Sequence, residues 1–284
     1  MKTKSIIVKI IRFISCCINF FCLICVLMVL GYGIYAVWDS YAVISENASS
    51  AYKKYKPTED GGGLSFEELQ KLNPDVIGWI TLDDTPVDYP LVRGSDNKKY
   101  INTSPEGKFS LTGSIFMDYR NDASFKDFNT IIYGHNMDPN VMFGVIKEYY
   151  DEDFFLKHCK GEIFFDGEEH ELEIVMLING DGYDFELYSV CAQDNDSKKK
   201  YLEYLNTLVV FSQGDPLTVD DRIVLLSTCS PDETNGRNIL VGRILNTSNE
   251  EDQISDEGID QPSNEEKDQI SNEEENQILS EEKL

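Results

Sequence analysis

Histidine and positive charge are what this chain has least of. Only three histidines occur in 284 residues, so chemistry that needs an imidazole has three candidates: His135, His158 and His170. Lys and Arg number 25 against 51 Asp and Glu, a formal net charge of -26 at pH 7. A chain this acidic repels phosphate, which excludes nucleic acid as a partner. Cysteine is scarce where a disulfide scaffold would need it. Of seven, Cys16, Cys17, Cys22 and Cys25 lie in an apolar N-terminal stretch, leaving Cys159, Cys191 and Cys229. An odd number cannot all pair within the chain, so at least one thiol is free or pairs with another molecule, although a Cys159/Cys191 disulfide is conceivable. Metal-ligand spacing is missing too. His158, Cys159, His170 and Cys191 follow no zinc pattern, and Cys22-x-x-Cys25 inside an apolar run reads as packing or lipidation. No metal and no cofactor is expected.

The acid is unevenly placed. Residues 249–284 hold 14 Asp and Glu against 2 Lys, a net of -12, so the preceding 248 residues carry -14. That tail repeats one unit (Asn249-Glu-Glu-Asp-Gln-Ile254, Asn264 to Ile270, Asn272 to Ile278) and contains no aromatic residue. It buries too little apolar surface to fold alone and is expected to be a disordered acidic repeat tail. The N-terminus has the opposite character. Residues 1–12 carry Lys2, Lys4, Lys9 and Arg12 and no acid, and residues 13–38 form an apolar run. About 20 apolar residues span a bilayer as a helix. With the basic flank first, the positive-inside rule puts residues 1–12 in the cytoplasm, residues 13–38 in membrane lipid and the rest outside, as a single-pass cell-membrane protein. A cleaved signal peptide is the rival reading. The run exceeds the usual signal core, and no small-x-small cleavage site follows it.

Residues 39–63 read as a stalk, helical to about Lys56 and broken by Pro57 and Gly61-Gly62-Gly63. The catalytic domain is placed at residues 64–248. Ser65-x-x-Glu68 is a capping box for a helix over 66–72. Short strands are predicted at 75–82, 86–92, 113–118 and 130–133, then two short helices over 141–149 and 151–158. Strands follow at 162–165, 171–178 and 185–192, a helix over 197–211, and closing strands at 221–228 and 238–245. Many short strands with few helices indicate a mainly β (α+β) barrel or sandwich rather than a doubly wound sheet.

Thiol chemistry needs a thiolate, a proton carrier and something to hold negative charge on an attacked carbonyl oxygen. Cys229 ends the apolar strand Ile223-Val-Leu-Leu-Ser-Thr228, just before Ser230-Pro231. His135 ends another in Ile131-Ile-Tyr-Gly-His135. Strand ends are where a rigid scaffold displays functional groups. His158 and His170 sit in charged segments and read as solvated surface histidines. Arg237 opens the strand after Cys229. If the two strands are neighbours, its guanidinium can face the same cleft. Arg243, six residues on, lies about 20 Å further along the strand and is too far away.

Several segments together resemble a known family. Leu226-Ser-Thr-Cys229 is similar to the end of the sortase signature Thr-Leu-x-Thr-Cys. Tyr133-Gly-His135-Asn-Met137 with Met142-Phe143 resembles the histidine region of class B sortases. So do Asn73-Pro-Asp-x-x-Gly-Trp79, Asp88-Tyr-Pro90, Gly113-Ser-Ile-Phe-Met-Asp118 and the long helix from Ser197. The resemblance covers about residues 64–245. It implies an eight-stranded sortase-type β-barrel with N-terminal helices, Cys229 as nucleophile, His135 as the catalytic histidine and Arg237 as the arginine. The separation of Cys229 and Arg237 is shorter than in some relatives, and the acidic tail is outside the family pattern.

The activity implied is that of a membrane-anchored cysteine transpeptidase. Its partners would be exported proteins bearing a C-terminal sorting motif of Asn-Pro-x-Thr or Pro-x-Thr type, and an amine acceptor such as a peptidoglycan precursor. Three alternatives stand beside it: a cysteine endopeptidase in which the same residues serve with water as acceptor, a pilin-polymerising sortase, and a non-catalytic surface binding module with a degenerate site. The loop 180–186 and the helix from Ser197 are where specificity is expected to be read.

Overall fold

The computed structural model describes residues 2–47, 49–57, 66–137, 140–230 and 234–245. The capping serine Ser65, the glycine run 61–63, most of the loop after Ser230 and the acidic tail lie outside the described residues. The first helix, α1 (Lys2–Asn47), contains the unburied apolar segment Ile6–Ala42, which is long and apolar enough to cross a membrane.

Two short 3-10 turns, Ser49–Ala51 and Lys53–Tyr55, follow α1, and α2 (Phe66–Leu72) precedes the first strand. The core reaches back past residue 64. Tyr52 and Tyr55 are buried in it, and Tyr52 lies with its ring centroid 6.2 Å from that of Tyr89. Residues read from the sequence as stalk thus contribute side chains to the folded domain.

The strands are β1 (Val76–Leu82), β2 (Asp88–Val92), β3 (Ile115–Met117), β4 (Asn129–Tyr133), β5 (Lys160–Phe165), β6 (Glu168–Asp181), β7 (Val209–Ser212), β8 (Arg222–Cys229) and β9 (Gly236–Ile244). Eight of them close a barrel in the order β5-β1-β2-β3-β4-β8-β9-β6, with β6 pairing back onto β5. β7 adds to the outside of β6. β2–β3 and β4–β8 are parallel, and the other pairings are antiparallel. The β5–β6 hairpin turns on Asp166 and Gly167, with φ of 51° and 86°. Positive φ at both central residues is what a type I′ turn demands, and Asp-Gly is one of its preferred pairs.

Side-chain alternation sets the layers. On β8, Val224 and Leu226 join the barrel interior, whereas Ile223 and Leu225 join a second cluster with Tyr201, Leu202 and Leu205 of α4 (Asn195–Thr207). Both faces of β8 are buried, which is why it reads as an unbroken apolar run. β9 alternates alike, with Leu240 inside and Ile239 and Val241 under α4.

Three expectations are corrected. Residues 185–192 form no strand. Asp184 accepts bonds from the Glu186 and Leu187 N–H groups at 2.9 and 3.0 Å, an Asx-type turn that competes with strand pairing, and Phe185 is left 93% exposed. The helix expected over 197–211 starts earlier, where Asp194 caps the Asp196 and Ser197 N–H groups, and stops at Thr207. Val209, Val210 and Phe211 go instead into β7, as β-branched and aromatic residues favour. His158 and His170 are not solvated: they are 8% and 9% exposed, stacked on Phe154 and Phe165 with centroids 3.8 and 4.1 Å apart. Their ring faces are apolar surface that packing buries despite charged sequence neighbours.

Candidate active site

Period-two alternation sends Cys229 and Arg237 to one side of the barrel wall. Cys229 shares the outer face of β8 with Ile223 and Leu225, and Arg237 shares that of β9 with Ile239 and Val241. On β4, Ile132 points inside, so Tyr133 and, two residues on, His135 lie on the outer face. The register brings the three strand ends to one level. Tyr133 pairs with Ser227 in the parallel β4–β8 ladder, and Cys229 pairs with Arg237 in the antiparallel β8–β9 ladder. The adjacent Ser230 N–H donates to Gly236 O at 2.8 Å, which makes Cys229 and Arg237 a non-hydrogen-bonded pair, the kind whose side chains stand closest.

The α4 layer covers the outer face over Ile223 and Leu225 but does not extend to Cys229. There a cavity of about 440 Å³ opens, lined by Cys229, His135 and Arg237 together with Tyr133, Tyr188 and the segment Gly182 to Phe185. The loop expected to carry specificity therefore borders the cavity. No residue of α4 does; the helix acts on the site only as the layer that ends beside it. Arg243, Cys159, Cys191, His158 and His170 lie outside the cavity lining. Arg243 pairs with Glu173 at 2.7 Å and Asp221 at 3.7 Å toward the other end of β9. Cys159, Cys191 and Cys229 are all free thiols, and Cys229 is exposed.

Two of the three side chains, those of His135 and Arg237, are oriented by backbone carbonyls. His135 Nε2 lies 2.9 Å from Ile101 O. A carbonyl only accepts, so Nε2 carries the hydrogen and Nδ1 is left as the nitrogen that can exchange a proton. Arg237 Nη1 donates to Asn235 O and Gly236 O at 3.1 and 2.9 Å. Its guanidinium lies against Gly182: a Cβ on that glycine would fall 2.6 Å from Nη2. Among the described residues Nη2 and Nε meet no acceptor, which leaves that edge of the fork available to a carbonyl or an oxyanion. Asn136 Nδ2 donates to Cys229 O at 2.6 Å.

One wall is a polar network under an aromatic layer. Asp118, fully buried, accepts a fork from Arg120 (Nε at 2.8 Å, Nη2 at 2.7 Å), a bond from Asn97 at 2.8 Å and one from Tyr133 at 3.0 Å. Burial works to raise the Asp118 carboxyl, but the hydrogen bonds, those of Arg120 foremost, prevail and hold it below the usual carboxylate range. Arg120 Nη2 also reaches Tyr188 O at 3.0 Å, and the Tyr188 hydroxyl meets Ser227 Oγ at 2.8 Å. Burial pushes the Tyr188 phenol up, so it stays neutral beside Cys229. Sequence reasoning missed Arg120, Tyr188 and Asn136. Asn136 had one signal, its position directly after His135; Tyr188 was hidden in a segment read as strand.

No family model matches the chain. Among curated proteins, Sortase B of Listeria monocytogenes is 32% identical over 233 residues, covering 77% of this chain and 94% of that protein. Among solved structures, a sortase B from the type II pilus of Streptococcus pneumoniae aligns at 42% identity and a TM-score of 0.56, covering 65% of this chain and 100% of that one. The Staphylococcus aureus sortase B–substrate complex aligns at 32% identity and a TM-score of 0.60, covering 64% of this chain and 85% of that one.

Proposed function

The chain belongs to the class B sortases, and is thus a cysteine transpeptidase of surface proteins at the level of its family; from that premise we propose that Cys229, His135 and Arg237 carry the reaction. The observation that supports this most is the pair of strand registers that bring all three side chains to the rim of one cavity. The Cys229 thiolate attacks the carbonyl carbon of the threonine in a C-terminal sorting motif. Arg237 donates from its open edge to the carbonyl oxygen as that oxygen gains charge. The C–N bond breaks, and His135 as imidazolium gives its proton to the departing amine. A thioester remains on Cys229. An incoming amine attacks it, His135 takes the amine's proton, and the thiolate leaves as the amide forms.

Residues 13–38 serve as a single-pass membrane anchor in this reading, with residues 1–12 cytoplasmic and the barrel outside; the apolar segment Ile6–Ala42 supports it. The acceptor amine belongs to a cell-wall precursor. A second reading, pilin polymerisation with a lysine side chain as acceptor, is favoured by the higher identity to the pilus sortase than to the Staphylococcus aureus enzyme, 42% against 32%. Incubating the detergent-solubilised chain with a sorting-motif peptide and a panel of amines separates the outcomes by product mass. A stem-peptide adduct supports cell-wall anchoring, and a lysine-peptide adduct supports polymerisation. Hydrolysis alone, unaffected by every amine, refutes transpeptidation.

A further inference from the structure

The parallel ladder between β4 and β8 runs from Asn129↔Ile223 to Tyr133↔Ser227 and ends on a bond from the Gly134 N–H to Ser227 O at 3.1 Å. Rungs of a parallel ladder recur every second residue on each strand. The next rung donated by the β4 side would run from the Asn136 N–H to Cys229 O. The backbone does not make it. After Gly134 the chain leaves β8 and runs against residues 142–143 instead: Asn136 bridges Met142, and the Phe143 N–H donates to His135 O at 3.1 Å. The vacated acceptor is taken by a side chain, with Asn136 Nδ2 donating to Cys229 O at 2.6 Å.

Among the described residues this is the one hydrogen bond between the His135 segment and Cys229. The opposite side of Cys229 is fixed by the barrel, through its pairing with Arg237 and the Ser230–Gly236 bond. The β4 side depends on one amide. We propose that Asn136 is a positioning residue, whose side-chain amide replaces a missing backbone rung and so sets the separation of His135 from Cys229. The role as stated rests on Cys229 and His135 being nucleophile and proton carrier. The amide has to donate, because Cys229 O can only accept. A carboxylate at this position would place two acceptors against each other. Glutamine keeps the donor on a longer arm.

The test compares the full chain with Asn136→Ala, Asn136→Asp and Asn136→Gln in detergent. Alanine and aspartate are expected to lower kcat for acylation by a sorting peptide about 10²-fold, the cost of misplacing reacting groups by about 1 Å, with KM little changed. Glutamine is expected to restore a measurable part of the loss. A purely structural role would lower the melting temperature and leave kcat of the folded enzyme unchanged; that result overturns the proposal, as does a glutamine variant no better than aspartate. Amide hydrogen exchange needs no substrate. Asn136→Ala should speed exchange at residues 227–230 and 134–137 while the β1–β2 pair is unaffected, and unchanged exchange there overturns the proposal whatever the peptide assay gives. A parent chain that forms no thioester counts against the catalytic reading, and the exchange result still decides the Asn136 link.

Discussion

Replacing Arg120 by Met removes the guanidinium and keeps most of the side chain's packing. It leaves the fully buried carboxylate of Asp118 without its fork. Removing one partner of a fully buried pair costs about 3–5 kcal/mol. Here the Arg120 side chain is 38% exposed, and Asp118 keeps Asn97 at 2.8 Å, Tyr133 at 3.0 Å and the Arg120 N–H at 3.0 Å. Solvent screening and three surviving donors bring the expected loss down to about 2 kcal/mol. A domain of this size loses about 2–4 °C per kcal/mol, so the melting temperature should fall by about 4–8 °C. The pH dependence identifies the cause. Asp118 is held below its ordinary value in the folded state, so its contribution is present above the unfolded value of about 3.9 and is lost as pH falls through the folded value. The deficit of Arg120→Met should therefore be full at pH 7 and narrow only as pH falls well below about 4. Thermal unfolding followed by near-ultraviolet circular dichroism at both pH values measures it. A deficit equal at the two pH values, or under about 1 °C at pH 7, refutes the reasoning.

Other consequences are tested in the same way. Gly182→Ala puts a Cβ 2.6 Å from Arg237 Nη2 and must displace the guanidinium; kcat/KM for peptide cleavage should fall about tenfold or more, with the melting temperature changed little. An unchanged kcat/KM would show that the position of the Arg237 fork does not matter. Arg243→Gln and Arg237→Gln should separate two arginines of one strand. The first loses the Glu173 and Asp221 contacts, costs about 1 kcal/mol of stability and keeps its kcat/KM, while the second keeps its stability and loses turnover. Equal losses of turnover in both would contradict the assignment.

Much of the barrel was legible because its strands are short, bounded by turn residues and apolar on a period of two. β8 was the plainest, since the interior and α4 bury both its faces. The strand ends carrying Cys229, His135 and Arg237 were legible for the same reason. What was hidden depended on tertiary context. Tyr52 and Tyr55 look like linker residues until the barrel offers them a surface. Tyr188 lies in a run whose β-like composition is overruled by the Asp184 turn. The end of α4 was misplaced because Leu208 and Val209 continue the helical spacing even as the chain turns into β7. Asn136 acts through a rung that backbone geometry leaves vacant, and no pattern along one strand can announce that.

The central claim is that the thiol of Cys229 carries the acyl group. Intact-protein mass spectrometry of the chain mixed with a sorting-motif peptide, quenched in acid and mapped by proteolysis, tests it most directly. The account predicts a hydroxylamine-labile acyl adduct on the peptide containing Cys229, its disappearance on adding an acceptor amine, and no adduct on Cys229→Ala. An adduct that persists on Cys229→Ala, or that maps to Cys159 or Cys191, would contradict it.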